Sequence, residues 1–198
     1  MKRLSFAIIF ASMALALMAD DAIRVNFKGS QPTITDFAWA FCKYFHDLEE
    51  TGDKPSNAIL DALECVRDNK PLDATLTIQD KNGYLFYERK YDNVVFQLEM
   101  CVWNEADGKH KLFVFNHMLT LVDGKPACTE TSGLMFYRYN KATKKMVYVD
   151  APGFEVDYMD TTYSMPCDGK DITVTKWHAD GTKTVSTLEW DGHKFSNR

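Results

Sequence analysis

The 198-residue sequence has no excess of positive charge. Its 23 Lys and Arg residues are outnumbered by 28 Asp and Glu residues, which gives a formal net charge of −5 at pH 7. Nucleic-acid binding depends on a positive surface that neutralises phosphates, so this balance argues against a nucleic-acid partner. Glycine and proline are scarce, at 10 and 6 residues, which excludes collagen-like and linker-like chains. With 45% hydrophobic residues, the composition is that of an ordinary globular protein.

Long apolar runs are absent except at the start of the chain. The run Leu4–Leu17 follows a cationic start and is shorter than the roughly 20 residues that a membrane-spanning helix needs. Small residues ending at Ala19 precede two acidic residues. This layout predicts a secretory signal peptide over residues 1–19. The remaining chain, 20–198, is predicted to be a single periplasmic or secreted domain without a membrane span.

Two helices are predicted after the N-terminal segment. Apolar residues recur at helical spacing from Ile34 to Leu48, and Thr33 with Asp36 resembles a capping box. A second helix is predicted to begin near Pro55, with an apolar face formed by four residues: Ile59, Ala62, Leu63 and Val66. The connection at Gly52 is short, so the two helices should pack as an antiparallel hairpin over about residues 33–69.

The apolar period changes to two after the helices, which predicts strands. The candidate strands are 74–78, 84–89, 94–103, 112–122, 134–139, 145–149, 154–158, 172–177 and 184–190. Glycine follows Asn or Asp, a hairpin-turn signal, at Gly83, Gly108, Gly124, Gly169, Gly181 and Gly192. The predicted fold class is therefore α+β, with the helical hairpin packed on an antiparallel β-meander over about residues 73–196. That meander is expected to be barrel-like or a sandwich.

Cysteines are few and widely spaced. The five are Cys42, Cys65, Cys101, Cys128 and Cys167. They form no C-x-x-C pair, which excludes a thioredoxin-like motif and a zinc ribbon. Cys42 and Cys65 lie equally far from the Gly52 connection, at matching heights on an antiparallel hairpin. The spacing therefore predicts a disulfide between them, and leaves the pairing of the other three open.

Few residues carry a catalytic or metal-binding pattern. Cys42 and His46 are one helical turn apart, a spacing suited to a Cys–His pair or, with Cys65, to three ligands of a zinc site without an evident fourth. A disulfide cysteine beside an exposed histidine is the favoured interpretation. Asp80 and Asn82 are interpreted as turn residues rather than calcium ligands. Neither a catalytic residue, a metal nor a cofactor is predicted.

Aromatic residues on strands are the best candidates for a ligand site. Tyr137 and Tyr139 share one face of a predicted strand, and tyrosine faces on sheets bind sugars or peptides through an apolar ring and a polar tip. His117 shares a strand face with Phe113 and Phe115, where a pocket histidine is conceivable. Ordinary core or core-rim positions are nevertheless the favoured interpretation for all three candidates, Tyr137, Tyr139 and His117.

Three segments resemble parts of small uncharacterised exported proteins of Bacteroidetes-type bacteria. The segments are Cys101–Asn104 with Asp107–Lys109, Gly133–Tyr139 and Leu188–Gly192. The resemblance covers roughly residues 80–196 and consists mostly of turn and strand patterns. It implies a periplasmic or secreted protein and carries over no catalytic residue.

The function predicted from these patterns is a non-enzymatic module that binds a protein, peptide or glycan through its sheet. Two alternatives stay open. One is a carbohydrate-binding module that uses Tyr137 and Tyr139, and the other is a hydrolase that depends on a cysteine or a histidine. The second alternative lacks a familiar motif, because the H-E-x-x-H, G-x-S-x-G, P-loop and G-x-G-x-x-G patterns are absent from the sequence.

Overall fold

The structure is a computed structural model that describes residues 22–48, 55–92, 94–122, 125–126, 133–157 and 160–198. The predicted signal peptide over residues 1–19 lies outside these residues, as do Gly52, Gly124 and Cys128. Within the described ranges, no helix is both long enough and apolar enough to cross a membrane.

Two helices form where the sequence predicts them. Helix α1 spans Ile34–Leu48 and helix α2 spans Pro55–Arg67. One half of the capping box forms, because a carboxylate oxygen of Asp36 accepts hydrogen bonds from the backbone N–H of Thr33 at 2.8 Å and from its hydroxyl at 3.1 Å. These bonds satisfy a donor that would otherwise be unpaired at the helix start. The backbone N–H of Asp36 bonds to the carbonyl oxygen of Thr33 and not to its hydroxyl.

The strands form two antiparallel sheets. The larger, here the central sheet, has the order β1-β8-β7-β5-β4-β3-β2, with β6 paired to β5. Its strands are β1 (Ile23–Arg24), β2 (Thr75–Gln79), β3 (Tyr84–Tyr91), β4 (Val94–Asn104), β5 (His110–Val122), β6 (Lys125–Pro126), β7 (Leu134–Asn140) and β8 (Lys145–Val149). The second, here the outer sheet, has the order β12-β11-β10-β9. Its strands are β9 (Thr161–Ser164), β10 (Ile172–Trp177), β11 (Lys183–Trp190) and β12 (Phe195–Asn197).

The predicted α+β fold class is wrong, although the antiparallel pairing is confirmed. Strands hold 44% of the structure and helices 18%, so the protein is mainly β. The meander does not continue as one sheet, because the chain between β8 and β9 leaves the central sheet and begins the outer one. The predicted strand over 154–158 is also wrong for its described part, since residues 154–157 form no strand.

The central sheet is buried on both faces. On one face, Tyr137, Phe113 and Met100 pack with Phe37 and Phe41 of α1 in a hydrophobic core, here the helix-side core. On the other face, a second core, here the intersheet core, lies between the central sheet and the outer sheet. Its largest side chains include Trp103, Phe136, Tyr163, Trp190 and Phe195. Apolar residues on both faces of β7 are therefore required, because each face meets a different layer.

The predicted Cys42–Cys65 disulfide is absent: both residues are free thiols, as are the other described cysteines, Cys101 and Cys167. Cys42 is fully buried in the helix-side core. In α2 the buried face runs through Ile59 and Leu63. Two residues beyond Leu63, at about 100° per residue, Cys65 is turned away from that face, and its side chain is only partly buried.

Candidate functional site

Strand β2 is an edge of the central sheet. Within the described ranges it pairs with β3 alone, in a register that places Leu76 opposite Tyr87 and Gln79 opposite Tyr84. Backbone N–H and C=O groups alternate in direction along a strand, so those on the outer side of β2 have no partner strand in the described residues. A row of unpaired backbone groups of this kind is a template for pairing with another extended chain.

The side chains of β2 do little to block that edge. Its sequence Thr-Leu-Thr-Ile-Gln contains neither proline nor a charged residue, which are the usual devices that protect sheet edges. Thr75 and Thr77 are exposed, whereas Leu76 and Ile78 are partly buried against the helix-side core. An added strand would therefore have small polar side chains beside it on one face and apolar side chains on the other.

The other edge strands are short or already engaged. Strands β1 and β6 have two residues each and β12 has three, so none of them offers a long template. On β9, the carbonyl oxygen of Tyr163 accepts a hydrogen bond at 2.7 Å from the side-chain amide of Asn116. Among the described residues, β2 is thus the longest edge whose outer side is not occupied.

The turn after β2 is held from two sides. On the helix side, the hydroxyl of Thr35 at the start of α1 donates to Asp80 Oδ1 at 3.0 Å. On the other side, Asn82 Nδ2 donates to Gln79 Oε1 at 3.0 Å and to the carbonyl oxygen of Cys167 at 3.1 Å. These bonds fix the end of the edge strand to both neighbouring layers, which reduces the ordering cost of binding there.

A buried carboxylate joins the two sheets directly behind this hairpin. Glu99 on β4 is 5% exposed, and its two oxygens accept three hydrogen bonds. The hydroxyl of Tyr84 donates to Oε1 at 2.8 Å, while the backbone N–H of Met165 at 2.8 Å and Asn116 Nδ2 at 3.3 Å donate to Oε2. These four residues, here the Glu99 junction, attach the segment after β9 to three strands of the central sheet.

Burial raises the pKa of Glu99 above its ordinary value of 4.5, although its three hydrogen bonds act in the opposite direction. Perturbed carboxyl groups occur in active sites, but they also occur in structural networks. Every donor to Glu99 is internal, and all three come from the strands or the segment that the Glu99 junction joins. The contacts therefore favour a structural role.

The raised pKa predicts a specific pH dependence. Because the fold binds this proton more tightly than the unfolded chain, the stability that Glu99 contributes is complete below about pH 4.5 and is lost as pH rises towards the folded pKa. We expect the unfolding free energy of the wild type, minus that of Glu99→Gln, to fall as pH rises through this window. Urea denaturation at a series of pH values measures the difference, and a difference that rises with pH would contradict the assignment.

A second cluster of titratable groups lies at the β4–β5 turn. Ligand atoms of Glu105, Asp107 and His110 lie within 4.8 Å of one another, a donor set that divalent metals use. However, Arg138 Nε already donates to Glu105 Oε1 at 2.7 Å. Asp107 accepts a hydrogen bond from His110 Nδ1 and backbone hydrogen bonds from Lys109 and His110. The His110 bond is the main reason that the pKa of Asp107 lies below its usual range. Because these hydrogen bonds occupy the carboxylates and stabilise the turn, we interpret the cluster as part of the turn and not as a metal site.

The spacing of Cys42 and His46 does not produce a Cys–His site. Cys42 is fully buried, and burial raises the pKa of its thiol, which leaves it un-ionised and a poor nucleophile. His46 lies in the last turn of the same helix with its side chain 57% exposed, and its Nδ1 is 3.3 Å from Asp47. Cys42 and His46 therefore face different surroundings.

The three predicted ligand residues lie on the helix side of the central sheet. Tyr137 and Tyr139 are 2% and 1% exposed, and their rings pack edge-on against Phe41 and Phe37 of α1. The His117 ring is 4.8 Å from the ring of Phe96. The two tyrosines share one face as predicted, but α1 covers that face.

The edge strand and the Glu99 junction were not identified from the sequence. One available signal is that Glu99 shares its strand face with Cys101 and Trp103, so a carboxylate stands on an otherwise apolar face. Such a position predicts a buried charge with internal partners. The sequence carries no comparable signal that β2 lies at an edge, because the order of the strands in the sheet depends on the whole topology.

The comparisons with known proteins add no functional assignment. No family model, curated protein or solved structure matches this chain.

Proposed function

We propose that this protein is an exported, non-catalytic binding module that takes up an extended segment of a partner protein by strand addition to β2. The observation that carries the proposal is the uncharged, proline-free edge of five residues whose outer backbone groups pair with no strand of the described chain. In this mode main-chain hydrogen bonds supply much of the affinity, and alternate side chains supply selectivity. A periplasmic or secreted location stays a prediction from the first 19 residues.

The negative charge of the chain favours a basic segment. The charges closest to the edge balance, because Asp73 pairs with Arg89 at 3.7 Å and Asp80 is followed by Lys81. The whole chain carries a formal charge of −5, which attracts cationic partners and speeds their encounter. The proposed ligand is therefore an extended peptide with apolar residues at alternate positions and Lys or Arg near its ends.

The proposal of a non-catalytic role is supported by the chemistry of the buried groups. The thiol of Cys42 is enclosed in the helix-side core, and burial raises the pKa of Cys101 to about 12. Neither thiol has the depressed pKa that an activated nucleophile requires. Glu99 is saturated by the internal donors of the Glu99 junction.

A charge placed on β2 should weaken binding. We expect Thr77→Lys to reduce the affinity for a fluorescently labelled peptide, Lys-Val-Thr-Val-Thr-Val-Lys, by about tenfold or more, because lysine on an edge strand opposes strand pairing and repels a basic segment. Fluorescence anisotropy with the full chain measures the affinity. The matched control is Thr173→Lys, which places the same charge at an exposed threonine of β10, an interior strand of the outer sheet.

Three outcomes would overturn the proposal: the wild type fails to bind the peptide, both variants bind it equally, or the chain pairs with itself. The third is measured by sedimentation velocity. A dimer that Thr77→Lys dissociates and Thr173→Lys preserves would identify a second copy of this chain as the occupant of the edge. Binding retained by Thr173→Lys and lost by Thr77→Lys, with a monomeric wild type, supports the proposal.

A further inference from the structure

Two cysteines from distant parts of the sequence meet beside the Glu99 junction. Cys101 lies on β4, is 1% exposed and faces the outer sheet. Its thiol donates a hydrogen bond to the carbonyl oxygen of Pro166, with Sγ and O 3.7 Å apart. The next residue is Cys167, which is exposed. A carbonyl oxygen is about 2.8 Å from the following Cα, so the Cα of Cys167 lies within about 6.5 Å of Cys101 Sγ.

The electrostatics agree with this short separation. Burial is the main cause of the raised pKa of Cys101, and a charge on Cys167 raises it further. Charges on both cysteines also add to the raised pKa of Tyr84, after the larger effects of burial and Glu99. Interactions of this kind weaken with distance, so the thiols share one neighbourhood.

The segment that carries Cys167 is held near Cys101 by two hydrogen bonds, and the part from Cys167 onward is exposed. Its backbone is held by the bond from Met165 N–H to Glu99 and by the bond from Asn82 to the Cys167 carbonyl. Residues 167–171 are exposed and contain no helix or strand. Rotation of the Cys167 side chain and a small shift of this segment would bring the two sulfurs to bonding distance.

We propose that Cys101 and Cys167 form an intramolecular disulfide when the protein meets a low-molecular-weight disulfide oxidant. Cys167 reacts first because it is exposed: its thiol loses a proton, and its sulfur attacks one sulfur of the oxidant and releases one thiolate. Cys101 then loses its proton and attacks the sulfur of Cys167 in the mixed disulfide, which releases the second thiolate. Two cysteine thiols are oxidised, and one disulfide of the oxidant is reduced to two thiols. The product links β4 to the β9–β10 connection.

In the test, the full chain is incubated with oxidised glutathione as the oxidant and the reaction is quenched with acid. The peptides are then mapped without reduction. We expect a linked pair of peptides containing Cys101 and Cys167 in the wild type and in the control Cys65→Ser. In Cys167→Ser the linked pair is lost and Cys101 stays a free thiol. Because Cys167 is exposed, this variant keeps the core intact, and an unchanged circular-dichroism spectrum verifies its fold.

The proposal is overturned if Cys167 accumulates as a glutathione adduct in the wild type while Cys101 stays unmodified. It is equally overturned if Cys167 links to Cys65 or to Cys128. The disulfide is independent of peptide binding at β2, so a chain that fails the binding experiment can still pass this one.

Discussion

Glu99→Leu should lower the free energy of unfolding by about 3–5 kcal/mol, because it breaks a buried hydrogen-bond network. The substitution removes the acceptor for the hydroxyl of Tyr84, the amide of Asn116 and the backbone N–H of Met165. Each donor then stays buried without its bond, at a cost of about 1–3 kcal/mol, which the added apolar contacts of leucine offset in part. Chemical denaturation followed by tryptophan fluorescence measures the change.

The matched control is Glu189→Leu. Glu189 also lies on a strand, but its side chain is 46% exposed and pairs with Arg198 at 3.2 Å. Exposed pairs contribute little, so this variant should change the unfolding free energy by no more than about 0.5 kcal/mol. Equal effects of the two substitutions would show that Glu99 does not connect the sheets as described.

Gly153→Ala is the second substitution with a large expected effect, a loss of about 3 kcal/mol of unfolding free energy. Gly153 has a φ of 92°, and a Cβ added there would lie 2.3 Å from the carbonyl oxygen of Phe195 and 3.2 Å from its nitrogen. Both are backbone atoms of β12, which cannot rotate away. Backbone strain of roughly 1–2 kcal/mol and overpacking of roughly 1–3 kcal/mol therefore add together.

Gly169→Ala separates these two contributions. Gly169 has a closely similar φ of 95°, but a Cβ added there would meet nothing within 4 Å. This variant should carry the backbone strain alone and lose about 1–2 kcal/mol. Thermal or urea unfolding of the pair compares them directly, and a Gly153→Ala protein as stable as Gly169→Ala would contradict the close approach of the 150–157 connection to β12.

Local features of the fold could be predicted from the sequence. The capping box at Thr33 and the helical spacing of apolar residues identify α1, and Asn69 ends α2 in a left-handed conformation with a φ of 53°. The Asn-Gly and Asp-Gly turns at Gly83 and Gly181 connect antiparallel strands, as predicted. These features depend on neighbouring residues only, which is why the pattern alone suffices.

The fold class could not be predicted in the same way because it depends on what covers each face of a strand. The alternating pattern correctly places Tyr137 and Tyr139 on one face of β7. That pattern does not reveal that α1 covers this face and the outer sheet covers the other. The sequence therefore leaves both a ligand face and a core position open for the tyrosines, and the structure has them in the core.

Neither the β2 edge nor the Glu99 junction can be predicted from the sequence, for a related reason. The junction joins three neighbouring strands of the central sheet, β3, β4 and β5, to the segment after β9, which reaches them only when the outer sheet packs on the central one. Cys101 and Cys167 approach each other through the same packing of the two sheets. The spacing of the cysteines along the sequence therefore does not reveal that they are close. A face that carries Glu99 between apolar neighbours was the single local indication.

We propose that β2 is a fixed edge that accepts an extended segment. Isotope-edited NMR of the labelled full chain with the unlabelled peptide Lys-Val-Thr-Val-Thr-Val-Lys tests it most directly, because intermolecular nuclear Overhauser effects report which backbones lie side by side. We expect contacts between peptide α-protons and backbone protons of residues 75–79, with slowed amide exchange along β2. Peptide contacts that fall on β9, β12 or the helices while β2 exchanges unchanged would contradict it.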